Sequence, residues 1–250
     1  MNRLVRSISL MVALPLFFVG PSLALDDFSN NFTANLNQVA LDSLSQDIGA
    51  VMGGGSFHTG KALGFPLGFD VGVHVPVVGV QEDNAILKDD GSTTQGLWGQ
   101  VEVGLPLNLN IIARLGKFYD GDMLGGGIRY GLFSPSIPGL PAISITGLYS
   151  TLDHDYFKAD TLSANVALSF NIPVIHPYVG VGYDVTTLDL RDPAFVGAPA
   201  SVSRDLEGES SGYRAEAGVN LSIIPFTYIT LGAGLANGQE MYHAGAGVKF

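Results

Sequence analysis

Asp153-His154-Asp155 is the stretch of this chain that comes nearest to catalytic chemistry. An imidazole between carboxylates can act as a general base, and Asp120 and Asp122 lie on the preceding polar loop. Yet three polar residues are also what a solvated loop tip carries, and nothing in the spacing orients His154 or positions a water. Ser56 with His58, and Ser210 or Ser211 with His243, offer hydroxyl–imidazole pairs for nucleophilic attack, without a third group to hold the imidazole. Asp89-Asp90-Gly91 could give oxygens to a hard cation, but the spacing fits no calcium loop. No P-loop, zinc motif or dinucleotide fingerprint is present. These residues predict no enzyme, no bound metal and no cofactor.

A second group of residues is placed far more regularly. Asp70, His74, Glu102, Arg114, Arg129, Asp184, Arg214, Glu216 and His243 all lie on the polar side of segments that alternate with period two. In the first segment Phe69, Val71, Val73 and Val75 oppose Gly68, Asp70, Gly72 and His74; in a late one Tyr213, Ala215, Ala217 and Val219 oppose Arg214, Glu216 and Gly218. Ten such segments can be counted, at 67–80, 95–107, 109–118, 123–133, 142–152, 157–170, 177–190, 211–223, 227–236 and 240–250. Most are long enough to meet the roughly 9–11 residues that cross a bilayer at a tilt, where soluble sheets use about 5–6. The pattern predicts an all-β chain forming a single antiparallel transmembrane barrel of about ten strands, with eight or twelve also compatible.

The connections alternate in kind. Those at 106–108, 134–141, 171–176 and 224–226 are apolar and often prolyl; those at 81–94, 119–122, 153–156, 189–210 and 237–239 are polar and acidic. Short turns on one rim and longer loops on the other is the asymmetry of an outer-membrane barrel, with the short turns periplasmic. Aromatics gather at the segment ends: Phe133, Phe170, Tyr178, Phe226, Tyr228 and Phe250 toward the short turns, Phe118, Tyr119, Tyr149, Tyr156, Phe157, Tyr213 and Tyr242 toward the loops. Two interfacial girdles are expected from them. The inward charges form two tiers, Asp70, Glu102, Arg114 and Arg129 nearer the short turns and His74, Asp184, Arg214, Glu216 and His243 above. Opposite charges at one depth across neighbouring strands should pair, since a partly dehydrated lumen penalises a lone charge. The tiers read either as a sealing salt-bridge network or as a polar conduit or ligand seat.

Residues 1–24 carry Arg3 and Arg6, an apolar run at 8–19, and Ser22-Leu23-Ala24, a pattern that predicts a signal peptide cleaved after Ala24. Its removal takes two arginines and no acid, moving the formal charge from −11 to −13. Such acidity excludes a nucleic-acid partner. With no cysteine there is no disulfide framework. Mean hydropathy is +0.30 although no later apolar run approaches spanning length, as expected when apolar residues alternate with small polar ones.

The last segment, Tyr242-His243-Ala244-Gly245-Ala246-Gly247-Val248-Lys249-Phe250, alternates to its end and stops on Phe. It resembles the terminal strand of Gram-negative outer-membrane β-barrels, which the assembly machinery reads as a sorting signal. The resemblance implies that Tyr242, Val248 and Phe250 form that signal. It also implies that the cell outer membrane is the destination, with outer-membrane lipid, lipopolysaccharide and the barrel assembly machinery as partners. Proteases of the omptin type in such membranes use Asp and His on the outer rim, and some lipid-acting barrels use a Ser/His pair. Those are the precedents for an enzyme here, and the geometry they need is not encoded.

Residues 25–66 do not read as strand. Leu36, Val39, Ala40, Leu44, Ile48 and Val51 fit one helical face over 34–52, with Thr33 as N-cap and Gly53-Gly54-Gly55 as stop. This amphipathic helix could dock at the periplasmic end, bind a partner, or with 53–66 plug the lumen of the 67–250 barrel, whose inward faces are rich in glycine. Two functions follow: a barrel binding or passing a small solute or apolar molecule through a helix-gated, porin-like lumen, or a closed structural and surface-interaction barrel.

Overall fold

A computed structural model describes residues 25–66, 68–88, 92–135, 137, 139–196, 198 and 203–250. The signal-peptide reading of residues 1–24, the Asp89-Asp90-Gly91 reading and the first expected strand residue, Leu67, lie outside them.

Ten antiparallel strands close into a barrel, all neighbours in sequence pairing with one another. They are β1 (Phe69–Gly79), β2 (Thr93–Gln95 continued by Leu97–Gly104), β3 (Leu109–Phe118), β4 (Gly121–Phe133), β5 (Pro141–Asp153), β6 (Phe157–Phe170), β7 (Ile175–Leu190), β8 (Glu207–Leu221), β9 (Thr227–Ala236) and β10 (Gln239–Lys249). β10 returns to β1 over nine pairs from Asp70↔Lys249 to Val78↔Met241, so no edge is left open. The break in β2 sits opposite Pro76, which has no N–H to give; the Gly96 amide donates to the Pro76 carbonyl at 3.1 Å and the ladder resumes on either side.

Alternation is strict and its sense is inverted relative to a soluble sheet. Val71, Val101, Ile111, Leu115, Ile128, Val166, Val181 and Leu231 face out, Leu115 with 67 % of its surface exposed, while Arg114, Arg129 and Glu102 are buried inside. An outward apolar band around a closed hydrogen-bonded ladder is the arrangement that a bilayer requires. No helix among the described residues is long and apolar enough to cross a membrane; the crossing is made by strands.

The girdles form with corrections. Tyr149, Tyr183, Tyr213 and Tyr242 are exposed toward the loops, and Phe133, Phe170, Phe226 and Phe250 toward the short turns. Phe250 stacks between Phe69 and Phe226, ring centroids 4.6 and 4.8 Å away, across the closing seam. Tyr178, Tyr228, Phe118 and Phe157, expected among the girdles, point into the barrel and are almost wholly buried. Their strand parity puts them with the inward set: Tyr178 shares a face with Gly180, Gly182 and Asp184.

Two helices replace the single one expected over 34–52: α1 (Leu25–Ala34) and α2 (Gln38–Gly53). The N-cap is Asn37, whose side chain accepts the Ala40 amide, while the Thr33 hydroxyl turns back to the Asn30 carbonyl inside α1. α2 runs inside the barrel. Its buried residues surround the helix, Ser45, Asp47, Gly49 and Gly53 as well as Leu41, Leu44, Ile48 and Val51, whereas Val39 is exposed near the mouth.

The direction of the thread follows from its contacts. Gln38 bonds the Glu207 carbonyl and Asp42 accepts the Glu209 amide at the loop rim; lower down Gly60 bonds Ser169 and Leu63 bonds Asn110 near the short turns. α1 caps the loop-side mouth, Phe28 stacking on Tyr119 and Phe32 on Phe157. Residues 25–66 therefore enter at the loop rim, descend through the lumen, and leave at the short-turn rim to start β1.

Candidate functional site

The lumen divides into an apolar upper half and a polar lower half. Above, α1 and α2 bring Phe32, Leu41, Leu44, Ile48 and Val51 against Trp98, Phe118, Met123, Leu152, Phe157 and Met241 in one buried cluster. Burial of this kind contributes roughly 1.5–3 kcal/mol per large side chain. Below Gly53 the chain leaves the helix and the wall turns polar.

The end of α2 explains the most conspicuous wall residues. The last carbonyls of a helix have no partner within it. Here the Trp98 indole donates to Val51 O at 3.2 Å, and Arg114 donates Nη1 to Met52 O at 2.9 Å and Nη2 to Gly54 O at 2.6 Å. A guanidinium at a helix C-terminus also opposes the negative end of the dipole. Arg114 lies over the Trp98 ring, 4.2 Å from its centroid, which fixes the guanidinium plane. Arg114 has no acid partner among the described residues: the plug backbone takes its place.

The other charges pair within the wall, Arg214 with Asp184 on adjacent strands, Arg129 with Glu102 and Glu216 with His243 across one intervening strand. Arg129 Nη1 lies 3.2 Å from Glu102 Oε1, its Nε reaches Thr146, and its Nη2 donates to Ser56 O at 3.1 Å. Asn110 donates to the same Glu102 oxygen. Arg214 forks onto Asp184, Nε to Oδ2 at 2.5 Å and Nη2 to Oδ1 at 2.9 Å, with Ser163 and Asn165 completing the group. Arg214 also lies over the Phe57 ring of the descending chain. Glu216 takes the Tyr178 hydroxyl at 2.5 Å and faces His243 Nδ1 at 3.2 Å; His243 Nε2 meets His74 Nδ1 at 3.1 Å. Asp70 accepts from Tyr228 and lies beside His58.

Sequence reasoning names the charged members of these networks and misses the neutral ones. Tyr178, Tyr228, Trp98, Asn110 and Asn165 carry the parity of the inward face, which is the available signal. Glycine makes room for the thread at two kinds of place. Gly55 adopts a φ of 70° beside His74, a left-handed conformation suited to glycine, and a Cβ on Gly60 would strike the carbonyl oxygens of Ala142 and Ala167.

The residues of the loop constellation and of the Ser/His pairs are engaged by their neighbours. Asp153 is forked by Arg191 at 2.9 Å on both oxygens. His154 is packed between Phe28 and Phe157, and its Nδ1 receives the Tyr156 amide at 3.3 Å. Ser56 is buried with its hydroxyl on Gly53 O. Ser211 faces outward, whereas His243 points inside to Glu216. Among the described residues no group of three or more His, Asp or Glu is placed to hold a metal ion. The terminal-strand residues Tyr242 and Phe250 are exposed on the outer face; Val248 lies on the same face, paired with Val71.

Solved structures similar to the chain include two outer-membrane barrels and a designed transmembrane one. The outer membrane protein OprG from Pseudomonas aeruginosa shares 12 % identity over 76 % of this chain and 97 % of its own, with a TM-score of 0.36. The N-terminal β-barrel domain of OprF from the same organism shares 15 % identity over 72 % of this chain and 97 % of its own, at 0.31. A de novo designed transmembrane β-barrel shares 13 % over 75 % and 99 %, at 0.34. These values carry no inference about function. No curated protein matches. The model of a family of unknown function, DUF6588, matches residues 98–250, from β2 to the end of the barrel and more than half of the chain. The chain belongs to that family, and it is an outer-membrane type β-barrel closed around its own N-terminal segment.

Proposed function

We propose that this protein is an integral barrel of the cell outer membrane that is shut at rest, and that it works by binding and surface interaction, with no open diffusion pathway. One observation carries the reading: buried wall donors, Arg114, Arg129 and Trp98, are bonded to backbone carbonyls of the segment that fills the lumen. A water-filled pore would leave those guanidinium groups to solvent and passing ions. Export by a cleaved signal peptide and assembly from the terminal strand belong to this reading, as does anchoring among lipopolysaccharide by the acidic loops. Passage of a small solute would require residues 38–66 to withdraw, breaking the bonds at the foot of α2.

The reading is non-enzymatic, supported by the engagement of Asp153 with Arg191 and the aromatic packing of His154. Proteoliposomes holding the refolded chain test it: they should retain a gradient of a small sugar as well as protein-free vesicles do. Rapid swelling at rest would sink it.

A further inference from the structure

The lower lumen is not completely filled. At the short-turn rim an open-mouthed cavity of about 220 Å³ remains between the descending chain and strands β1, β6, β7, β8, β9 and β10. Its wall includes three side chains more than nine-tenths buried that carry polar atoms without a partner: both ring nitrogens of His58, Oδ2 of Asp70 and Oδ1 of Asn220. His58 Nε2 and Asp70 Oδ2 are 3.6 Å apart, too far for a hydrogen bond. The neighbouring atoms are already used, since Asp70 Oδ1 takes the Tyr228 hydroxyl and the Asn220 amide donates to the His58 carbonyl. What is left without a hydrogen-bond partner is therefore two buried acceptors and an imidazole, all on residues that line one space.

Lys61, His176 and Lys249 line the same space, and neither ammonium has an ion-pair partner among the described residues. In a chain with formal charge −11 this leaves a local excess of positive charge around one buried carboxylate. The ligand that satisfies both halves carries an anion for the lysines and O–H or N–H donors for Asp70 and Asn220. The volume is below the roughly 300 Å³ at which pockets for drug-sized ligands begin, so the ligand is a small one.

We propose that this cavity is a binding site for a small polyol phosphate or similar hydroxylated anion, its anionic group on Lys61 and Lys249 and its hydroxyls on Asp70 and Asn220. The proposal rests on the closed-barrel reading, because His58 and Lys61 belong to the plug. The same glycerol-phosphate chemistry is offered by a free solute and by a phospholipid headgroup at the periplasmic leaflet.

Calorimetric titration of the full chain, refolded in a neutral, phosphate-free detergent, tests it with glycerol 3-phosphate, glycerol and inorganic phosphate. One site should bind glycerol 3-phosphate, inorganic phosphate should bind about tenfold more weakly, and glycerol should not register. The double variant Lys61→Ala/Lys249→Gln should lose about tenfold or more in affinity with an unchanged melting temperature. If the soluble phosphate ester is silent but phosphatidylglycerol in the micelle binds and is lost in the double variant, the source is the lipid headgroup. Silence toward all of them, or binding indifferent to the double variant, overturns the site. Protection of the Lys61 bond from trypsin in the same sample reports the plug separately, so a failed site and a failed plug give different results.

Discussion

The guanidinium of Arg114 and the carbonyl of Met52 meet at 2.9 Å in the middle of the barrel, 62 residues apart in sequence. That bond joins wall to plug, and with its companion to Gly54 O it satisfies carbonyls at the foot of α2 beyond the one taken by the Gly54 amide, where the last turn holds no basic residue. A hydrogen bond from a charged donor is worth about 1.5–3 kcal/mol when its partner is buried. Arg114→Ala should therefore destabilise the folded barrel by roughly 3 kcal/mol, read as a lower denaturant midpoint in detergent. Arg114→Lys, a point charge without the fork, should recover only part of it.

Gly60 has no room for a side chain on the descent. A Cβ there would meet backbone atoms of β5 and β6 that cannot swing aside. Gly60→Val should expel the return segment while leaving the strands paired. Trypsin should then cut after Lys61, a bond expected to resist in the parent protein.

The thread can be locked without disturbing any native thiol, because the chain has no cysteine. Ser45 of α2 and Gly208 of β8 are in direct contact. Ser45→Cys with Gly208→Cys should oxidise spontaneously to a disulfide. A helix docked at the periplasmic rim would leave the two thiols free.

Residue 25 lies on the same side as the long loops, since α1 rests on Tyr119, His154 and Tyr156. An epitope tag placed immediately before Leu25 should be labelled on intact cells. Labelling confined to permeabilised cells would reverse the direction of the thread.

Asp47 stands at the loop rim, beyond the end of β1, where burial pushes its carboxyl up to about 7 against the pull of its bonds to Asn84 and the Gln81 amide. A carboxyl raised by folding favours its protonated form in the folded state. Stability from this group is then fully present below the ordinary carboxylate range and falls as pH rises toward 7, by an amount on the order of 4 kcal/mol. Hydrogen exchange in the Gln81–Leu87 loop, corrected for intrinsic rates, should quicken between pH 5 and pH 8 and level off above.

The strands were legible because a membrane barrel writes its inside and outside at period two, and the register of Tyr213, Ala215 and Ala217 against Arg214 and Glu216 carries straight into the structure. Height along the strand alone places Tyr178 in a girdle; its parity places it inside, and parity decides. The surroundings of α2 were hidden for a different reason. A helix enclosed by a barrel is buried on every side, so small residues such as Gly49 and Gly53 and an isolated Asp47 replace the polar stripe that would reveal an exposed face. The meeting of His58 with Asp70 joins an aperiodic segment to a strand, and no local pattern encodes such a contact.

Single-channel recording tests the sealed lumen most directly, comparing the refolded chain with one lacking residues 25–66. The full chain should be silent at modest voltage and the shortened one should show discrete steps, as Arg114, Arg129 and Arg214 become the lining of an open passage. Steps of equal size from both, unchanged when the Ser45→Cys/Gly208→Cys variant is oxidised to its disulfide, would contradict it.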